Sequence, residues 1–256
     1  PLAAEFDYTS KDTTFGQKSW EKAETKLQEL ALDTAKRKLD AQYRDIDVLF
    51  AGDLLNQCIG TSFALRSTGI PFLGLYGACS TMAESLLLAA SWVSAGYARL
   101  AAALTSSHFA SAERQYRFPL GYGGQRTPTA QWTATAAGCC LLGQAAHGPY
   151  VLGATVGRIV DLGIKDANNM GAAMSPAAVD TLEQHFRDFG LSPADYDLIV
   201  TGDLGALGKQ IVLEQTAKDG YDLSNNYDDC GVLLFDAARQ DVHAGASGCG
   251  CSASVL

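Results

Sequence analysis

The sequence predicts an α/β fold with a largely parallel sheet, and three observations carry that expectation. Short apolar runs ending in glycine alternate with longer stretches of helical periodicity. A ten-residue strand-and-turn motif occurs twice. The composition, 47% apolar and 18% charged over 256 residues, supplies a sizeable core and excludes a disordered chain.

Residues 1–16 are polar and irregular. From Gln17 to Tyr43, Trp20, Ala23, Leu27, Leu30, Ala31, Ala35 and Leu39 recur at helical spacing, which predicts a surface amphipathic helix. Val48–Ala51 reads as a buried strand stopped by Gly52-Asp53. A helix over about Leu55 to Ser67 ends at Gly69-Ile70-Pro71, and Phe72–Tyr76 is the next strand. The stretch Thr81 to Gly96 is apolar nearly all round, which predicts a helix buried on every side, with Glu84 needing a salt-bridge partner. Leu100–Leu104 is a strand leading into Thr105-Ser106-Ser107-His108, and residues 107–131 form a polar, aromatic and Gly-rich excursion. Two more strands are expected at Thr133–Leu142 and Val151–Val156, and a helix at Ala177–Phe189.

The repeat is the most informative feature. Asp45-Ile46-Asp47-Val48-Leu49-Phe50-Ala51-Gly52-Asp53-Leu54 recurs 150 residues later as Asp195-Tyr196-Asp197-Leu198-Ile199-Val200-Thr201-Gly202-Asp203-Leu204. Five of the ten positions are identical, and each copy follows an amphipathic helix, so a duplicated half is the better reading. The elbow Gly77-Ala78-Cys79-Ser80 then needs a partner. Gly250-Cys251-Ser252 is preferred, with an insertion of about 22 residues built as a hairpin of Gly231–Phe235 and Asp241–Ala244. Tyr227-x-x-Cys230 is the rival, set aside because Gly231–Phe235 reads as a strand.

Several function classes fall away on composition. The net charge of −9 and a pI near 4.8, with no basic stripe, argue against nucleic acid. No apolar run reaches the roughly 20 residues of a membrane span, and the start has no signal-peptide pattern. Seven cysteines without a CxxC pair, and four scattered histidines, read as reduced thiols rather than a zinc site, and no metal or cofactor is expected.

Cys79 stands where a strand turns into a helix. N–H groups at a helix start stabilise a thiolate, and small residues before it let the turn present the sulfur. An acyl-accepting nucleophile needs that arrangement, and a buried structural cysteine fits the local motif equally well.

Two halves with a Gly-Ala-Cys-Ser elbow resemble the thiolase and ketoacyl-synthase superfamily. More closely, the chain resembles the stage V sporulation protein AD family. The likeness rests on Ala51-Gly52-Asp53-Leu54-Leu55-Asn56-Gln57, Tyr76-Gly77-Ala78-Cys79-Ser80-Thr81, Ala112-Glu113-Arg114-Gln115-Tyr116-Arg117, Tyr122-Gly123-Gly124-Gln125 and Ser247-Gly248-Cys249-Gly250-Cys251-Ser252, and it runs through the chain in order. It implies a thiolase-like duplicated αβαβα layered fold. The first half is residues 1–156 with the inserted loop 107–131, and the second is 157–256, incomplete at its C-terminus. The missing Met likewise suggests loss at the start.

The resemblance also implies binding of dipicolinic acid, free or as its calcium chelate, during uptake into the developing spore. Other SpoVA membrane proteins would be partners, the location would be peripheral to the inner spore membrane, and a homodimer is the oligomer to test. Demonstrated catalysis is not implied. Where a condensing enzyme carries a His, this chain has Gly202-Asp203, and the second group falls near Ser247-Gly248-Cys249. The alternative is an acyltransferase using Cys79 as nucleophile.

A planar dianion needs N–H donors, cations and flat walls. Cys79, Ser80 and Thr81 at the helix start, Ser107 and His108 at a strand end, Arg114, Arg117, Tyr122 (a lid with Gly123-Gly124, or equally a plain turn), Asp203 and Cys249 form the candidate set. Arg114 and Arg117 read equally as solvated loop charges beside Glu113. For Asp53 and Asp203 a structural role is the default, with bound calcium as the alternative.

Overall fold

In a computed structural model the described residues are 2–116, 126–144 and 148–256. They fall into two units. One comprises Leu2–Gly123, Thr133–Tyr150 and Gly248–Leu256, and the other Gly124–Trp132 and Val151–Ser247.

The first unit is built on a four-stranded sheet. In chain order its elements are α1 (Trp20–Lys38), β1 (Val48–Asp53), α2 (Ile59–Leu65), β2 (Phe72–Gly74), α3 (Thr81–Ser94), β3 (Leu100–Ser107) and α4 (Phe109–Tyr116). The strand order is β2-β1-β3 and then Ala136–Gly143. The first three are parallel, with Val48 opposite Ala101 and Asp53 opposite Ser106. The fourth runs antiparallel to β3, with Ser107 opposite Ala136. α1 starts where Ser19 Oγ accepts the Lys22 N–H, and it ends in Lys36, Arg37 and Lys38, which suit the helix dipole.

Alternation along the strands feeds two cores. Val48, Phe50, Ala101 and Ala103 pack with Met82, Ala89 and Val93 of α3. Leu49, Ala51, Ala102 and Leu104 pack with Leu32 of α1 and Leu65 of α2. A sheet covered on both faces explains why β1 and β3 read as continuous apolar runs.

In the second unit, after β4 (Trp132–Thr133) and the sheet strand β5 (Ala136–Gly143), come α5 (Met170–Phe189), β6 (Ile199–Thr201), α6 (Gly205–Lys218), β7 (Tyr227–Asp229), α7 (Cys230–Leu234), β8 (Ala246–Ser247) and, returning to the first unit, α8 (Cys249–Ala253). β6 and β7 are parallel, with Thr201 opposite Asp229. Phe186, Ile199, Leu204, Val212, Leu223 and Tyr227 form the core there.

Four expectations need correction. α3 is buried on one face only: Met82, Ala89 and Val93 are covered by the sheet, while Ala83, Ser91 and Ser94 are exposed. Glu84 forms no ion pair among the described residues. Val151–Val156 is not a strand, since β-branched composition needs a neighbouring strand and none lies alongside among the described residues; Leu152 is 93% exposed. Gly231–Phe235 is not a strand either. Residues 230–234 are α7, so the hairpin does not form and the ground for setting aside Tyr227-x-x-Cys230 disappears. The excursion after Ser107 opens as helix α4, and its residues 117–125 lie outside the described residues.

Candidate functional site

The site grows out of the end of β2. Leu75 still donates its N–H to Ala51 O at 2.8 Å, and then the chain turns through a short 3-10 turn, Ala78–Ser80, into α3. Ala78 sits at φ +51°, a left-handed conformation that costs an alanine on the order of 1 kcal/mol. Its carbonyl explains how the turn is held. That oxygen accepts the Thr81 N–H, the Thr81 hydroxyl at 2.7 Å and the Cys249 thiol at 3.0 Å. Ser80 Oγ donates to Gly77 O at 2.8 Å. Cys79 is thereby presented half-buried, between exposed Ala78 and exposed Ser80.

The helix α8 closes the far side of the elbow. Ser252 Oγ donates to Cys79 O at 3.4 Å, and Gly250 N–H donates to Ser107 Oγ at 2.9 Å. Ser107 Oγ in turn donates a hydrogen bond to Ala134 O at 2.7 Å. Gly250 has to be glycine here, because a Cβ would stand 2.4 Å from Ala136 O. Cys249 is fully buried, and burial pushes its thiol up to about 12, so it acts as a neutral donor.

Next to these residues lies a buried polar cluster that includes one group the sequence analysis missed. Glu24 of α1 is fully buried and accepts the Ser111 hydroxyl at 2.6 Å and the Ser106 hydroxyl at 3.2 Å. Burial, reinforced by the charge of Asp53, pushes its carboxyl up to about 8. A signal was available: Glu24 lies four residues after Trp20 and three before Leu27, on the apolar stripe of α1. Asp53 is buried too, and burial raises its carboxyl while hydrogen bonds oppose the shift. It accepts Leu55 N–H at 2.8 Å, Thr61 N–H at 2.7 Å and Thr61 Oγ1 at 2.5 Å, and so anchors the start of α2.

The other candidates scatter. His108 is 2% exposed; its Nε2–H donates to Thr13 O at 2.8 Å and its Nδ1 accepts Ala110 N–H at 3.1 Å. Burial lowers its pKa, so it is a neutral, committed ring and no cation for a dianion. Arg114 on α4 pairs with Glu21 of α1 at 2.7 Å, not with its neighbour Glu113. Arg117 and Tyr122 lie outside the described residues. Asp203 is buried in the second unit after β6, where its backbone carbonyl accepts Gln131 Nε2 at 2.6 Å. The carboxylate that serves α6 is instead Asp229, which accepts the N–H groups of Leu204 and Gly205 at 2.9 and 2.8 Å. None of the seven cysteines forms a disulfide, and no group of three metal-ligating side chains gathers among the described residues.

A family model, stage V sporulation protein AD, matches residues 1–256. Stage V sporulation protein AD of Bacillus subtilis (strain 168) is 47% identical over 255 residues, covering 100% of this chain and 75% of that protein. The chain belongs to the stage V sporulation protein AD family. Several solved structures share the fold of this chain at low sequence identity. The tetronic acid condensing enzyme AbyA1 superposes with a TM-score of 0.61 at 17% identity, over 99% of this chain and 78% of that one. Xanthomonas campestris OleA gives 0.62 at 12%, over 91% and 72%. The 3-oxoacyl-[acyl-carrier-protein] synthase III of Aquifex aeolicus VF5 gives 0.58 at 12%, over 96% and 75%. The fold is thiolase-like, as the sequence led one to expect. Among the described residues no helix is long and apolar enough to cross a membrane.

Proposed function

We propose that this sporulation protein binds dipicolinic acid for uptake into the developing spore, on a thiolase-like scaffold that does not condense acyl groups. The observation that carries the second half of this reading concerns the histidines. His108 is committed as above. His185 has Nδ1 on Thr155 Oγ1 at 2.9 Å and Nε2 on the Tyr196 hydroxyl at 2.8 Å. His243 has Nδ1 on Thr127 O at 2.8 Å and Nε2 on Asp241 at 3.1 Å. Every described imidazole is therefore engaged at both nitrogens, and activating a cysteine nucleophile asks for a base within reach. His147 lies outside the described residues.

The elbow offers a half-buried thiol and the exposed Ser80 hydroxyl. Glu24, neutral below about pH 8, takes one negative charge out of the polar cluster beside Cys249. Both features suit an anionic guest better than two ionised carboxylates would. The proposed ligand and setting are those the family resemblance implies: dipicolinate, free or calcium-bound, with other SpoVA membrane proteins as partners at the inner spore membrane.

Calorimetric titration of dipicolinate into the protein, with and without calcium, tests the reading. Saturable heat that weakens about tenfold or more in Cys79→Trp, which crowds the elbow, is the expected result. No saturation overturns it. So does mass-spectrometric detection of an acylated Cys79 that turns over with an acyl-CoA, the outcome that favours an acyltransferase.

A further inference from the structure

Glu24 of α1 lies in the same unit as the elbow, fully buried. Its carboxyl meets β3 through Ser106 and α4 through Ser111, and its charge acts on the Cys249 thiol of α8. Cys249 in turn holds the carbonyl of Ala78, the residue before Cys79, at 3.0 Å. A change of charge at Glu24 is therefore felt at the elbow through buried protein, where screening is weak.

The hydroxyls around Glu24 let it hold or lose a proton in place. Ser111 Oγ stands 2.6 Å from Glu24 Oε2 and 3.0 Å from His108 O, and it has one proton to give. With Glu24 neutral, its O–H donates to Ser111 Oγ and the serine donates to His108 O. With Glu24 ionised, the serine turns its proton back to the carboxylate. One hydroxyl rotation thus satisfies either state.

The surroundings favour the neutral state. One helical turn along, the buried Oε1 of Gln28 finds no donor among the described residues, so the cluster is short of protons and rich in acceptors. The charges that bear on Glu24 are Asp53 at the end of β1 and Glu21 on its own helix, both negative. On the other elements, the Cys249 thiol keeps its proton, His108 is neutral, Glu113 of α4 is buried, and Arg114 is engaged by Glu21. Burial holds the Glu24 carboxyl near 8, where small changes of pH alter its charge.

We propose that Glu24 is a proton-operated regulator of the elbow: an anion bound there is held while Glu24 carries its proton and is released as Glu24 ionises. The inference rests on the reading of the elbow as an anion site.

The test titrates dipicolinate into the full chain by calorimetry at about pH 6.5 and about pH 9, a range in which both ligand carboxyls stay ionised. The parent should lose about fivefold or more in affinity at the higher pH, as one added buried negative charge implies. Glu24→Gln, which copies the neutral carboxyl, should keep its affinity. By linkage, dipicolinate should raise the Glu24 midpoint, followed by carboxyl carbon-13 NMR, by the logarithm of the same factor. Equal affinity at both pH values, or a loss that persists in Glu24→Gln and so belongs to the Cys79 thiol, overturns the proposal and leaves the elbow reading standing. So does a Glu24 signal that titrates in the ordinary carboxyl range, a measurement on the parent that needs neither ligand nor variant. No saturation at either pH overturns the elbow reading and this proposal with it.

Discussion

The two copies of the ten-residue repeat share the Gly-Asp-Leu turn and do different work. Gly52 in β1 is buried with no room for a side chain: a Cβ would lie 2.0 Å from Leu75 O and 2.9 Å from Thr81 Cγ2. At Gly202 the same atom would meet nothing within 4 Å. Asp53 anchors the helix that follows its own strand. In the second unit that task falls to Asp229 on the neighbouring strand β7, which also accepts the Thr201 hydroxyl at 2.7 Å and the Gly231 N–H at 3.0 Å. The recurring motif thus keeps a strand and a turn in both places, while each unit supplies its own donors for a buried carboxylate. Donor geometry, not sequence identity, assigns the role.

That contrast can be broken most sharply at the glycines. Gly52→Ala should cost more than about 4 kcal/mol or abolish folding, because backbone must move, whereas Gly202→Ala should stay within about 0.5 kcal/mol. Urea unfolding of both variants decides it, and equal losses would mean that the copies are equivalent after all. Next in size are Asp53→Ala and Asp229→Ala. Each strands several buried donors and should cost about 3–5 kcal/mol in the same measurement; a mild effect at Asp229 would return the capping role to Asp203.

Glu24 sharpens the comparison through pH. Its ordinary carboxyl value is 4.5, and its folded value is about 8. Between those values the folded chain holds a proton that the unfolded chain has lost, so stability falls as pH rises from about 5 to 8 and the loss is complete above that. Glu24→Gln should flatten this window, by a few kcal/mol across it, and be the more stable form at pH 9. Thermal melts over pH 5–9 check this, and a parent as steep as the variant would refute it. Smallest is Arg114→Ala. Its exposed pair with Glu21 should be worth less than about 1 kcal/mol and fade with salt.

Much of the fold was legible. β1 and β3 declared themselves as apolar runs because both faces of their sheet are covered, β2 as a shorter apolar run at the sheet edge, and α1 through its stripe and caps. Less was legible at Val151–Val156 and Gly231–Phe235, where a β-branched or apolar run had no strand partner to make it a strand. In the site, the elbow and the place of Cys79 were read correctly from small residues at a strand end. His108 and Arg114 were offered to a ligand because a sequence cannot show that Thr13 and Glu21 already hold them.

By itself, then, the sequence determined the family, the fold class and the elbow, since each rests on local pattern repeated in order along the chain. Tertiary structure alone decided which charges are free. It brought Cys249 onto the carbonyl of Ala78, some 171 residues away, and set Glu24 inside the core with its proton retained. Such outcomes depend on burial and on partners distant in sequence, and no local pattern encodes either.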